Sequence, residues 1–216
     1  MTNIPDTTKF KRFEKTEILL HWSHGLPFLF LVLTGFWLAW DGMTGIERSE
    51  SISYYHKIAG IVLIFLPPVV VISGNLELII RNFRKIISFG PADVSWIKSQ
   101  SNKQEPLAQG KFNFGQKMNT LAVMVYSSFL QLTGIWLWIT PQGLLPRWLH
   151  TIVAFGGSFL LCGHLYMAMV NPSTRKAFMA VITGFVSKDY IRHHHELQLD
   201  DAEDADDRGF DLRRDK

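Results

Sequence analysis

The sequence predicts an all-α membrane protein, a bundle of four transmembrane helices with both termini in the cytoplasm. Three observations carry that expectation: four separate apolar stretches of spanning length, a lopsided placement of basic residues between them, and four histidines near the stretch ends. Bulk composition decides less, because 47% hydrophobic residues and a mean hydropathy of +0.10 also suit a soluble helical protein.

A hydrocarbon core of about 30 Å needs about 20 consecutive apolar residues to cross as a helix. Four stretches meet that length, from Ile18 to Trp40, Tyr54 to Gly74, Met118 to Thr140 and Trp148 to Val170. The first seventeen residues are polar and charged, and the first apolar stretch is long enough to stay as a span, so insertion is expected without a cleaved signal peptide. Of 22 Lys and Arg residues, 19 precede the first span, separate the second from the third, or follow the fourth. Only Arg48, Lys57 and Arg147 fall on the other side. By the positive-inside rule the basic side is cytoplasmic. The sequence pI near 9.0 is then a property of cytoplasmic loops, and no nucleic-acid surface is needed to explain it. The lone Cys162 excludes an intrachain disulfide, and without a C-x-x-C-H motif there is no c-type haem attachment.

An imidazole inside a bilayer is costly and normally binds something. His150 and His164 are fourteen residues apart on the last span, which on an ideal helix is about 21 Å of rise and about 40° short of four full turns. They point to nearly one side at opposite depths, too far apart to share one metal ion. With the expected topology, His21 lies near the cytoplasmic face and His56 near the outer face. The depths give two pairs, His21 with His164 and His56 with His150, which is the arrangement two stacked haem b groups with bis-histidine ligation require. Taken singly, each histidine also fits a helix-end residue that snorkels or bonds a neighbouring helix. The paired constellation favours the cofactor.

His24 shares a face with His21, and spacing alone does not choose between them; His21 is preferred. Gly60, Gly156 and Gly157 lie beside the histidines, and the strings LTGFWL and LTGIWL place Gly35 and Gly134 near the outer ends of the first and third spans. These glycines suit either a flat porphyrin or ordinary close packing of helices. Pro27 and the Pro67–Pro68 pair are expected to bend their helices. The segment from Ile86 to Gln109 is expected along the inner membrane interface with Trp96 as an anchor. Residues 1–195 form the membrane domain. The charged tail, residues 196–216, is expected to be disordered or partner-bound in the cytoplasm, and the His193–His195 cluster to lie at the surface.

Several strings together resemble the cytochrome b (gamma) subunit of membrane-bound respiratory formate dehydrogenase. They are LHW at Leu20–Trp22, YYHKIAG around His56, KFNFGQKM from Lys111 to Met118, LTG at Leu132–Gly134, the His150-x13-His164 spacing followed by LYMA, and the exit segment TGFVSKDYIRHHH. The likeness runs from the basic N-terminus to about His195. It implies axial ligands at His21, His56, His150 and His164, and resolves the choice toward His21, the histidine directly before a tryptophan. It also implies a quinone pocket beside the inner haem at Asn113 and Gly115, residues that by themselves read as a turn and a helix start.

The function so implied is electron transfer across a bacterial inner membrane. An outer iron-sulfur subunit, itself served by a catalytic molybdenum or tungsten subunit, would feed two haem b groups, and a quinone near the cytoplasmic face would be reduced. The chain is then an anchoring and quinone-reducing subunit with no formate site of its own, and the resemblance leaves room for a higher oligomer of the complex. The short outer segments Asp41–Ser53 and Pro141–Arg147 carry no string that ties the partner to formate, so a hydrogenase or another molybdenum or tungsten oxidoreductase is an alternative. A proton-conducting transporter with a histidine relay and a purely structural anchor are rivals of other classes.

Overall fold

A computed structural model describes residues 8–47, 49–102 and 106–198. Four long helices run alternately up and down: α1 (Lys15–Thr44), α2 (Glu50–Ser73), α5 (Phe114–Ile139) and α6 (Leu144–Leu165), the last prolonged by a π-helical turn, Tyr166–Val170. All four are long and apolar enough to cross a membrane. Helices α1, α2 and α5 start a few residues ahead of their apolar stretches because capping residues lie outside those stretches. Glu17 accepts the backbone N–H of Glu14 at 2.9 Å to open α1, and Ser49 accepts the N–H of Ile52 at 3.3 Å to open α2. Asn113 and Gln116 exchange such bonds at 3.0 and 3.1 Å to open α5. The helices α1 and α2 continue without interruption through Pro27 and through Pro67–Pro68.

The long helices are inside out by the standard of a soluble bundle. Their outward faces carry Phe65, Ile72, Val125, Ile139 and Phe159, whereas Ser23, Thr34, Asp41, Ser127, Thr133 and Gly157 are buried. Such a pattern is stable where the surrounding solvent is lipid, because small and polar groups then find their partners between helices. Phe28, Leu63 and Tyr126 form a buried apolar cluster at mid-length, flanked by Leu31, Val32, Leu130, Val153 and Leu161.

The first and last described segments meet at one end of the bundle, here the proximal end. Strands β1 (Lys9–Lys11) and β2 (Phe185–Ser187) pair antiparallel with Phe10 opposite Val186. Helices α7 (Phe178–Thr183) and α8 (Lys188–His194) complete a small cap whose core is Ala180, Val186, Tyr190 and Ile191. Gly184 makes the turn from α7 into β2 at a φ of 86°, where a side chain would be strained, and its carbonyl accepts the N–H groups of Arg12 and Phe13 at 2.8 and 3.1 Å. Trp22 Nε1 donates to the carbonyl of Val181 at 2.8 Å and fastens α1 to this cap.

The segment between the second and third spans is helical, as α3 (Leu76–Ile87) and α4 (Pro91–Asn102). Helix α3 turns Leu78, Asn82 and Ile86 toward the protein and Leu76, Ile80, Phe83 and Ile87 outward, with Arg81, Arg84 and Lys85 along a third side. Buried ion pairs hold the segment to the bundle: Lys117 Nζ donates to Asp93 and to the carbonyl of Ser88, both at 2.8 Å, and Glu17 receives Lys111 Nζ at 2.5 Å and Asn82 Nδ2 at 2.7 Å. Trp96, expected as a membrane anchor, lies against Phe114 and the open side of Gly115, where a β-carbon would come within 2.9 Å of its ring.

The histidine cluster splits. His193 is exposed beside Asp189, whereas His195 is among the most buried side chains of the described residues, at 1% exposure. This differs from the expected surface location, and the reason is a pair of contacts distant in sequence. Arg12 Nη2 donates to His195 Nε2 at 2.8 Å, and His195 Nδ1 donates to the carbonyl of Gly110 at 2.8 Å. Burial first, and the Arg12 charge second, push the His195 imidazole down to about 3, so it stays neutral and can accept from the guanidinium. Leu197 N and Gln198 continue this contact network to Gln109 and Arg12; the rest of the charged tail, residues 199–216, lies outside the described residues.

Candidate functional site

Two pairs of imidazoles face each other across the bundle interior. At the proximal end His21 of α1 meets His164 of α6, with ring centres 6.2 Å apart and planes at 42°. At the opposite, distal end His56 of α2 meets His150 of α6, with ring centres 6.3 Å apart and planes at 79°. Two imidazoles that bind one metal ion from opposite sides, each through a metal–nitrogen bond of about 2 Å, hold their ring centres about 6.3 Å apart. Both pairs meet that separation. Among the described residues no group of three or more His, Cys, Asp or Glu side chains could hold a metal ion. Each pair could supply two imidazole nitrogens to a metal whose other donors come from its own ligand, as in a porphyrin.

The distal pair is braced from behind. Thr34 Oγ1 lies 2.8 Å from His56 Nδ1, and Thr133 Oγ1 lies 3.0 Å from His150 Nδ1. Each hydroxyl also reaches the carbonyl one turn back on its own helix, Phe30 at 2.8 Å and Phe129 at 2.9 Å. A carbonyl can only accept, so the single hydroxyl proton goes there and the oxygen accepts Nδ1–H from the imidazole. That tautomer leaves Nε2 unprotonated and able to bind a metal. The neighbouring glycines supply clearance: a β-carbon on Gly35 would sit 3.4 Å from His56 Cε1, and one on Gly134 3.3 Å from His150 Cε1.

The proximal pair is held differently. The amide nitrogen Nδ2 of Asn119 lies 3.4 Å from His164 Nδ1, and the His21 ring stands edge-on to Trp22. His24 is not a member of the pair. Its Nε2 lies 3.1 Å from Ser127 Oγ, which also receives Gln131 Nε2 at 3.2 Å, and its ring stacks on Phe28 at 5.5 Å. The Phe28–Leu63–Tyr126 cluster lies between the depths of the two histidine pairs, since Phe28 follows His21 by seven residues and Tyr126 follows Asn119 by seven. Gly157 is what lets the layer close, because a β-carbon there would overlap the Tyr126 ring. Asn113 and Gly115 sit at the proximal start of α5, the first as its N-cap and the second against Trp96.

Nothing in the sequence singles out Asn119, and the doubled LTG string contains Thr34 and Thr133 without indicating which histidine each meets.

A family model described as prokaryotic cytochrome b561 matches residues 12–184. The chain belongs to the prokaryotic cytochrome b561 family. Membership makes it a multi-pass membrane protein that binds haem b through histidines and carries electrons, in agreement with four spanning helices and facing imidazoles. No curated protein matches the chain. The match does not single out the formate dehydrogenase subunit.

Proposed function

We propose that this cytochrome b561 family member carries two haem b groups, one between His21 and His164 and one between His56 and His150, and serves as the membrane subunit of a respiratory oxidoreductase. The observation that carries the reading is the pair of ring separations, 6.2 and 6.3 Å, at two depths of one bundle. Bound there, the two groups supply one-electron transfer from one membrane face to the other. The residues contribute ligation by four imidazoles, fixed tautomers at the distal pair, and an apolar cluster between the sites.

The proximal end is assigned to the cytoplasm, because 19 of the 22 basic residues belong to the segments that precede the first span, join the second to the third or follow the fourth. Trp37, Trp40, Trp138 and Trp148 are exposed around the distal end, as expected of side chains at an outer membrane–water boundary. The resemblance to the formate dehydrogenase gamma subunit supports an outer iron-sulfur subunit as electron donor, with a molybdenum or tungsten enzyme behind it and formate as the leading substrate. It also supports a quinone site at Asn113 and Gly115, beside His164. With its amide oxygen engaged as the cap of α5, Asn113 would offer its amide N–H group to a quinone carbonyl. Two electrons arriving from the outer face and two protons taken from the cytoplasm would convert quinone to quinol. Moving each charge against the potential costs about 2.3 kcal/mol per 100 mV, which is how redox energy would be stored.

The test is a reduced-minus-oxidised spectrum with a haem count on the complex isolated from membranes. Two b haems per chain are expected. His56→Ala and His150→Ala should each remove the distal one, and His21→Ala and His164→Ala the proximal one. A colourless complex, or both haems in all four variants, would defeat the reading and favour a histidine relay. Mass identification of the co-purifying subunits then decides between formate dehydrogenase, hydrogenase and related enzymes.

A further inference from the structure

The two hairpins of the bundle repeat one device. In the first, α1 presents Thr34 and Gly35 to the histidine of α2; in the second, α5 presents Thr133 and Gly134 to the outer histidine of α6. The contacts match atom for atom. Each threonine oxygen lies behind Nδ1, at 2.8 and 3.0 Å, and each glycine lies beside Cε1, at 3.4 and 3.3 Å for an added β-carbon. The threonine is itself pinned by the carbonyls one turn back, at 2.8 and 3.2 Å for Thr34 and 2.9 and 3.2 Å for Thr133. An imidazole on a neighbouring helix can rotate about its Cβ–Cγ bond until something fixes it. A bond to Nδ1 and a wall at Cε1 together do so.

We propose that Thr34 and Thr133 are positioning residues that set the ring planes and the basicity of the two distal haem ligands, and through them the redox potential of the distal haem. The inference rests on the reading of His56 and His150 as axial ligands. Donating Nδ1–H to an oxygen makes the imidazole a more basic ligand, which favours the oxidised, more positive iron. The paired threonines therefore lower the distal potential. They also hold the rings at 79°, whereas the proximal rings, without this device, lie at 42°. The nearly perpendicular arrangement makes the ferric distal haem the more anisotropic of the two, with the larger principal g value.

The experiment uses the haem-loaded complex with Thr34→Val, Thr133→Val and both together, each matched by the corresponding change to Ser. Valine keeps the branched shape and removes the hydroxyl; serine keeps the hydroxyl. Redox titration followed by paramagnetic resonance reads each haem separately. The expected result is two retained haems, a distal midpoint moved upward in each Val variant and furthest in the double one, an altered distal g value, and recovery in the Ser variants. Should a Val variant lose the distal haem, a Ser variant with normal haem content and potential upholds the inference, and a Ser variant that also loses it overturns it. Unchanged distal potential and g value in the double Val variant, or a shift confined to the proximal haem, also overturns it. In that event, loss of the distal haem in His56→Ala shows that the ligand assignment survives while the role of the threonines does not.

Discussion

The distal and proximal histidine pairs have nearly the same ring separation but are built on different plans. The distal one is made twice over: two hairpins each bring a threonine and a glycine to a histidine of the adjacent helix, so its two halves are near copies. The proximal one is asymmetric. Its histidines come from the first and last spans, its nearest carboxamide is 3.4 Å away, and a helical and strand-paired cap closes over it. Separation between the rings is thus the common requirement. The means of holding the rings is free to differ, and that difference is where the two sites can acquire different electronic properties.

The largest test of this contrast is a change in the layer that both sites share. Tyr126 of α5 crosses Gly157 of α6 so closely that Gly157→Val must push the two helices apart. Overpacking a closed contact costs about 1–3 kcal/mol or more, and α6 carries a histidine of each pair. Loss of both haems together is expected, seen as a fall in total haem per chain. Selective loss of one would show that each site is held independently of the layer. By contrast, Gly134→Ala adds its methyl group only beside His150, and should lower the occupancy or alter the spectrum of the distal haem while leaving the proximal one as it was.

A smaller effect belongs to the cap. His195 is driven down to about 3 by burial and by Arg12, against an ordinary value of 6.5 in the unfolded chain. Above pH 6.5 the imidazole is neutral in both states and the full stability is present. As pH falls from 6.5 toward 3 the unfolded chain takes up a proton that the folded one refuses, so stability declines through that window. The thermal midpoint of the purified complex should fall over this range. His195→Gln, which keeps an acceptor for Arg12 but cannot titrate, should flatten the decline; an unchanged slope would place the acid sensitivity elsewhere.

Legibility in the sequence followed the physics of each region. The four spans could be read because lipid imposes length and apolarity on any helix that crosses it. The pairing of His21 with His164 and of His56 with His150 could be read because strict up-and-down topology converts position in a span into depth. The cap could not. Strands of three residues at opposite ends of the chain carry no periodicity, and nothing near His195 in sequence announces that Arg12 will lie against it. The threonines fall between these cases: the repeated LTG was visible, yet which histidine each Thr would meet depends on how the hairpins pack.

The smallest expected effect lies at the proximal pair. Asn119 approaches His164 Nδ1 at 3.4 Å, near the limit for a hydrogen bond, and a bond at that length contributes little. Asn119 Nδ2 is the atom that faces His164 Nδ1; with Nε2 of His164 on iron, Nδ1 would carry the proton and the carboxamide would turn over to present its oxygen as the acceptor. Asn119→Leu removes that acceptor at similar volume. The proximal midpoint should then move upward, as at the distal site but by less than in Thr34→Val, with haem content unchanged. A shift at least as large as that of the threonine variant would mean that Asn119 holds His164 as firmly as the threonines hold their partners, and the contrast between the two sites would reduce to the angle between their rings.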